Sequence, residues 1–288
     1  MSFWSKYPSQ NQTLLTLVVL FTLTSSCSPF PGDRTLPAEA PASDEASIQN
    51  LTIFAAASLT ESFTVLGDRF EASHPGVRLV FNFAGSQQLA QQLAQGAPAD
   101  VFASANLDQM EAVIEQGRVS PGSEQVFARN RLVVVAFPEA ANGIQDLNDL
   151  AISGMILVLA GESVPAGKYA LEVLSKAGEN PAFDPGFERA VLENVVSYEE
   201  NVRAVLSKVI LGEADAGIVY ASDVAGLPPL EVRVLDIPDE LNVLASYYVA
   251  PVSDSAEPGL AKDFIDFLLT DKGQQVLADH GFLQAREP

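Results

Sequence analysis

The chain has 288 residues, 48% of them apolar and 18% charged, which is enough apolar mass for one large domain or two lobes. Sixteen Lys and Arg against 37 Asp and Glu give a formal net charge of −21, a field that repels nucleic acid and anionic lipid headgroups. A single cysteine excludes an internal disulfide, and two histidines are too few for a histidine-rich metal site. No CxxC, HExxH or Walker-type phosphate loop occurs.

Residues 1–12 are polar with one cation, Lys6, and residues 13–23 (TLLTLVVLFTL) are an apolar stretch of 11. Ser25, Ser26 and Cys27 follow. This is the layout of an export signal over residues 1–26, too short to span a bilayer, which needs about 20 residues. The only cysteine stands where a bacterial lipobox places the lipid, although Thr24 occupies the position that usually holds Leu. Cys27 is therefore the expected lipidation site, and plain cleavage with a leftover thiol is the alternative. Removing residues 1–26 leaves 15 basic against 37 acidic residues, a net of −22. Residues 27–48 are rich in Pro and Ala and read as a flexible tether. An exported protein, in the periplasm or at the cell surface, touching the membrane only through a lipid anchor, is expected.

From Leu51 onward short apolar strands alternate with amphipathic helices. LTIFAA (51–56) is a buried strand, Ser58 can cap a helix through Phe63, Leu66 and Phe70, and His74-Pro75-Gly76 ends it. VRLVFNF (77–83) is a strand, Ser86 opens the helix QQLAQQLAQ, and DVFASA (100–105) is a strand before a helix over 107–116. RLVVVAF (131–137) and MILVLA (155–160) are strands, and Pro165 fits the first turn of the next helix. NVVSY (194–198), the helix NVRAVLSKVILG, and the strands at 216–221, 232–237 and 243–252 follow, with closing helices near 257–269 and 272–280. This alternation predicts α/β architecture with mostly parallel sheets, whose ligands bind at strand C-termini beside helix N-termini.

At those strand ends lie short, mostly uncharged turns: AAASL (55–59), FAGSQ (83–87), SVPAGKYA (163–170), YEENVRAV (198–205) and GIVYASD (217–223). Small residues admit a ligand to the backbone, helix starts offer unpaired N–H groups, and Ser58 and Ser86 add hydroxyls. Such a set makes an oxyanion receptor without a formal positive charge. Read singly, Ser58 and Ser86 could be helix caps, Tyr220 a satisfied core tyrosine, and Lys168 and Arg203 surface charge or long-range attractors. His74 in its turn and His280 near the last helix end carry no expected role.

Taken together, AAASL, AGSQ, GAPADVFASA (96–105), VPAGKYA, NVR (201–203) and GIVYASD resemble the signatures of the periplasmic molybdate-binding proteins of ABC transporters. The resemblance runs from about Leu51 to the C-terminus. It implies a type II two-lobed binding-protein fold, with residues 49–128 plus 247–288 in one lobe, 129–246 in the other, and the ligand cleft between them. It implies contacts from the Ser58 and Ser86 hydroxyls and N–H groups, the Ala166 and Val202 N–H groups, and the Tyr220 hydroxyl. Gln87 stands where the family often has Ser or Thr. The implied ligand is molybdate or tungstate, the implied partner a transporter permease, and the expected state a monomer without catalytic residues, cofactor or any metal beyond the oxyanion.

The chemistry of the residues agrees with that ligand. Molybdate and tungstate are dianions without a proton to donate, so their site needs donors only, whereas phosphate gains from a carboxylate acceptor. Another anion such as sulfate, a sensor that binds without delivering cargo, and a secreted serine hydrolase are the competing readings. The hydrolase lacks GxSxG and has only two histidines to serve as base.

Overall fold

The structure is a computed structural model that describes residues 48–139, 143–228 and 230–285. The export signal, Cys27 and nearly all of the tether lie outside the described residues.

The chain opens with β1 (Gln49–Ala56), a single 3-10 turn (Ala57–Leu59), α1 (Thr60–Ser73), β2 (Val77–Ala84), α2 (Ser86–Ala94), β3 (Val101–Ser104), α3 (Leu107–Glu115) and β4 (Gln125–Asn130). It continues through β5 (Leu132–Ala136), β6 (Leu157–Ala160), α4 (Pro165–Glu179), α5 (Phe187–Glu193), β7 (Val195–Glu199), α6 (Val202–Ile210), β8 (Ala216–Tyr220), α7 (Ala221–Val224) and β9 (Arg233–Asp236). It closes with β10 (Ala245–Pro251), α8 (Pro258–Leu268), α9 (Asp271–Asp279) and β11 (Leu283–Gln284).

Two sheets organise these elements, ordered β11-β4-β10-β3-β1-β2 and β7-β6-β8-β5-β9. Each, with its helices, forms one lobe of a two-lobed α/β fold. The strand period of two explains how the first sheet is covered on both faces. Leu51, Ile53, Val101 and Ala103 point to a core shared with Phe63, Phe70 and Phe264, while the intervening Phe54 and Phe102 pack with Leu89, Leu93 and Met110. The interior strand β1 is therefore apolar and buried from Ile53 to Ala56, whereas the edge strand β2 buries Leu79 between exposed Arg78 and Val80.

The sheets are mixed rather than mostly parallel. β1 pairs in parallel with β2 and β3, and β6 with β7 and β8. β10 runs antiparallel to β3 and β4, β11 to β4, and β5 to β8 and β9. Chain crossings account for part of this: Arg131 alone separates β4 of one sheet from β5 of the other, and β10 returns the chain from the second sheet to the first. Residues read as strands by composition carry no direction of pairing, so the sequence reading missed it. β4, α5 and β11 were also not foreseen. Asn242 ties the two crossing segments, accepting the Leu132 N–H at 3.0 Å and donating to the Leu132 carbonyl at 2.9 Å.

Candidate oxyanion-binding site

Five predicted residues meet at one place. Ser58, in the 3-10 turn after β1, Ser86, first in α2, Ala166, second in α4, Val202, first in α6, and Tyr220, last in β8, all line a single small cavity. Ala56, Ala57, Gly85, Ala105, Val164, Pro165 and Asn201 complete its wall, so none of the described lining residues carries a formal charge. The cavity is small, and every residue of its lining except Asn201 is buried.

Local sequence explains how donors face this space. Small residues at the ends of β1 and β2 let the following turns come close. Gly167 lets α4 start against β6, since a Cβ there would lie 2.0 Å from the Gly161 carbonyl oxygen. Gly85 is required in the same way, with the Glu200 carbonyl oxygen 2.6 Å from a would-be Cβ. Ala166 and Val202 lie within the first turn of their helices, where N–H groups have no acceptor in the helix itself. Asn201 caps α6 by accepting the Ala204 N–H at 3.0 Å and lines the cavity, a contribution that its place before an apolar helix could have signalled.

The serines are not helix caps. Ser58 Oγ lies 2.8 Å from the Tyr247 hydroxyl, and Ser86 Oγ accepts the Ala105 N–H at 3.1 Å. Nor is Tyr220 a satisfied core residue: its hydroxyl is fully buried without a hydrogen-bond partner, and the nearby Tyr247 ring packs on its own at 5.7 Å between centroids without closing a bond. An orphaned buried hydroxyl is costly unless a ligand satisfies it. Burial, reinforced by the neighbouring Tyr247, pushes the Tyr220 phenol well above its ordinary range, so it stays an O–H donor.

The acids near the motifs point elsewhere. Asp223 is buried, and its carboxylate accepts the Tyr220 N–H at 3.0 Å and lies 3.7 Å from Arg203, whose guanidinium donates to the Asp223 carbonyl at 3.2 Å. Burial pushes its carboxyl up to about 7, against the pull of the Arg203 guanidinium and the Tyr220 N–H. Glu162 is exposed and outside the lining. Lys168 and Arg203 are not free attractors of anions, because Lys168 pairs with Asp108 and Arg203 with Glu61, each across the cleft. Gln87 also works across the cleft, its amide donating to the Glu200 carbonyl at 2.7 Å, while Gln88 reaches the Glu200 carboxylate at 3.0 Å. These contacts hold the lobes together around the cavity.

His74 stacks on Phe70 at 3.9 Å, and His280 meets the Val276 carbonyl at 2.7 Å; neither lines the cavity. No serine there has a histidine partner. Among the described residues, no cluster of His, Cys, Asp or Glu could hold a metal ion.

Residues 51–283 match the family described as bacterial extracellular solute-binding protein. The chain belongs to this family. Among its relatives, the molybdate-binding protein ModA of Mycobacterium tuberculosis strain H37Rv is 37% identical over 85% of this chain and 89% of its own length. The molybdate-binding protein ModA of Escherichia coli K12 is 33% identical over 81% of this chain and 88% of its own. The substrate-binding domain of a putative molybdenum ABC transporter from Clostridium difficile superposes with a TM-score of 0.61 at 29% identity, over 82% of this chain and 98% of that one. The sulfate-binding protein SubI of M. tuberculosis H37Rv superposes with a TM-score of 0.71 at 21% identity, over 81% and 86% of the two chains. The fold is thus shared with a putative molybdenum-transporter domain and with a sulfate-binding protein.

Proposed function

We propose that this chain is the solute-binding protein of a molybdate or tungstate ABC importer, capturing the tetrahedral oxyanion between its lobes and delivering it to a membrane permease. One observation carries the reading: the Ser58, Ser86 and Tyr220 hydroxyls and the helix starts at Ala166 and Val202 surround one buried cavity that no charged side chain lines. A fully ionised dianion needs donors and is repelled by acceptors. Hydrogen bonds to a charged group contribute about 1.5–3 kcal/mol each, so several together hold a dianion against an unfavourable net charge. Hydrogen phosphate would bring a proton that no side-chain carboxylate of the lining could accept. The molybdate-binding relatives support the choice over sulfate.

The lobes are proposed as residues 49–128 plus 247–288 and residues 129–246; β5 to β9 fall within the second, while the pairs Arg129 with Ser246 and Asn130 with Ala245 of the first sheet draw the second lobe's ends in by two residues. The protein acts as a monomeric extracytoplasmic receptor without catalytic residues. Lipidation at Cys27, after removal of residues 1–26, anchors it through the tether; no helix among the described residues is long and apolar enough to cross a membrane. Replacing Cys27 with Ser should release the protein from the membrane fraction.

Titration calorimetry against molybdate, tungstate, sulfate and phosphate tests the assignment. One molybdate or tungstate should bind per chain, well ahead of the other two. Equal or tighter binding of sulfate would sink it.

A further inference from the structure

The Ser58 hydroxyl can donate or accept, and its partner Tyr247 can do either as well. A third residue settles the direction. Asn130, the last residue of β4, is buried, and its Oδ1 accepts the Arg131 N–H at 3.0 Å. That bond fixes the amide orientation, because a backbone N–H can only donate. Nδ2 therefore faces the other way, donating to Ser222 Oγ at 2.7 Å and lying 3.5 Å from the Tyr247 hydroxyl, at the outer limit of a hydrogen bond. With N–H groups on that side, and with the neighbouring Tyr220 hydroxyl outside hydrogen-bond geometry, the acceptor within reach of the Tyr247 proton is Ser58 Oγ at 2.8 Å. A lone pair of Ser58 is thus filled from behind, and the Ser58 proton is left for the cavity that this residue lines.

Two features of the fold support the arrangement. Tyr247 is completely buried, so no bulk solvent competes for its hydroxyl. The pairing of β10 with β4 shifts register between Tyr247 and Tyr248, the kind of irregularity that re-aims a side chain beside a site. Burial also keeps the Tyr247 phenol protonated by raising it above its ordinary range. Ser86 reaches the same state by a separate route, since the Ala105 N–H occupies its oxygen.

We propose that Tyr247, oriented by Asn130, is a positioning residue that commits the Ser58 hydroxyl to donation toward the bound oxyanion. The inference rests on Ser58 being a ligand contact. It makes the site's bias toward proton-free anions a property of residues that do not touch the ligand.

A double-mutant cycle tests it, with molybdate titrated into the wild-type protein, Tyr247→Phe, Ser58→Ala and the double variant. Tyr247→Phe should weaken binding about tenfold, the scale of one hydrogen bond to a charged group, and have less than about a twofold effect once Ser58 is Ala. Melting of the free proteins checks that each variant is folded. An equal loss from Tyr247→Phe in both backgrounds, or no loss with Ser58 present, overturns the proposal. Unchanged binding by Ser58→Ala alone overturns instead the reading of Ser58 as a contact. Asn130→Asp is the second variant should Tyr247→Phe unfold: it turns the donor facing Tyr247 into an acceptor and should weaken binding only when Ser58 is present. A loss that persists with Ser58→Ala marks a general effect of the charge and counts against the proposal.

Discussion

The two sides of the cavity supply donors by different means. On the α4 and α6 side the candidate donors are the backbone N–H groups of Ala166 and Val202, aimed by helix geometry, and the Tyr220 hydroxyl at the end of β8, which has no partner behind it. On the β1 and β2 side two hydroxyls stand beside the backbone, and each needs a partner behind it, Tyr247 for Ser58 and the Ala105 N–H for Ser86. A helix start tolerates side-chain change as long as the backbone stays in place. A hydroxyl donor depends on its neighbours as much as on itself.

The sharpest way to break this contrast is to remove both hydroxyls. Ser58→Ala with Ser86→Ala should cost roughly 3–6 kcal/mol of molybdate binding, two donors to a desolvated dianion, measured by calorimetry. Unchanged affinity would show that the backbone side suffices. Tyr220→Phe removes the third hydroxyl and should cost about 1.5–3 kcal/mol of binding, while the free protein keeps or gains thermal stability because a buried orphan hydroxyl disappears.

Asp223 extends the comparison to what supports a donor. Its carboxyl, pushed up to about 7 by burial, holds a proton in the folded chain between about pH 4 and pH 7, where the unfolded chain releases it. Its contribution to stability therefore falls as pH rises through that window. The melting temperature of Asp223→Asn should accordingly rise relative to wild type between pH 4 and pH 7, and a constant difference would contradict the assignment.

Smaller effects are expected at the rim. Lys168 and Asp108 are each half exposed, and Lys168→Gln should cost under about 1 kcal/mol of binding, less at high salt. Val202→Ala, which leaves the donating N–H untouched and adds no bulk to the small cavity, should change binding least, by under about 0.5 kcal/mol, with its cost falling on thermal stability instead. A loss as large as that of the serine variants would erase the distinction between the two sides.

The strand ends and helix starts that line the cavity were legible in the sequence as short local motifs, while the choice of Ala166 and Val202 among their residues came from the resemblance to molybdate-binding proteins. Ser58, Ser86, Ala166, Val202 and Tyr220 each sit at a strand end or helix start, features set by residues a few places away. What could not be read is what depends on distant parts of the chain meeting. Tyr247 lies 189 residues from Ser58, yet supplies its partner. The ion pairs of Lys168 and Arg203 join helices of different lobes, so both looked like free charge from the sequence. The antiparallel entry of β5 and β10 was hidden for the same reason, since apolar patterning gives burial but no direction. Asn201 carries a local signal, a capping residue directly before an apolar helix, but a cap by itself does not mark a cavity wall.

The central claim is that a chain of net charge −21 holds a dianion with uncharged groups alone. Diffraction from crystals grown with molybdate, with the anomalous signal of molybdenum marking the ion, tests it most directly. The account predicts one ion in this cavity, its oxygens about 2.7–3.1 Å from the Ser58, Ser86 and Tyr220 hydroxyls and the Ala166 and Val202 nitrogens. An ion held by Lys or Arg side chains, or bound at another place, would contradict it.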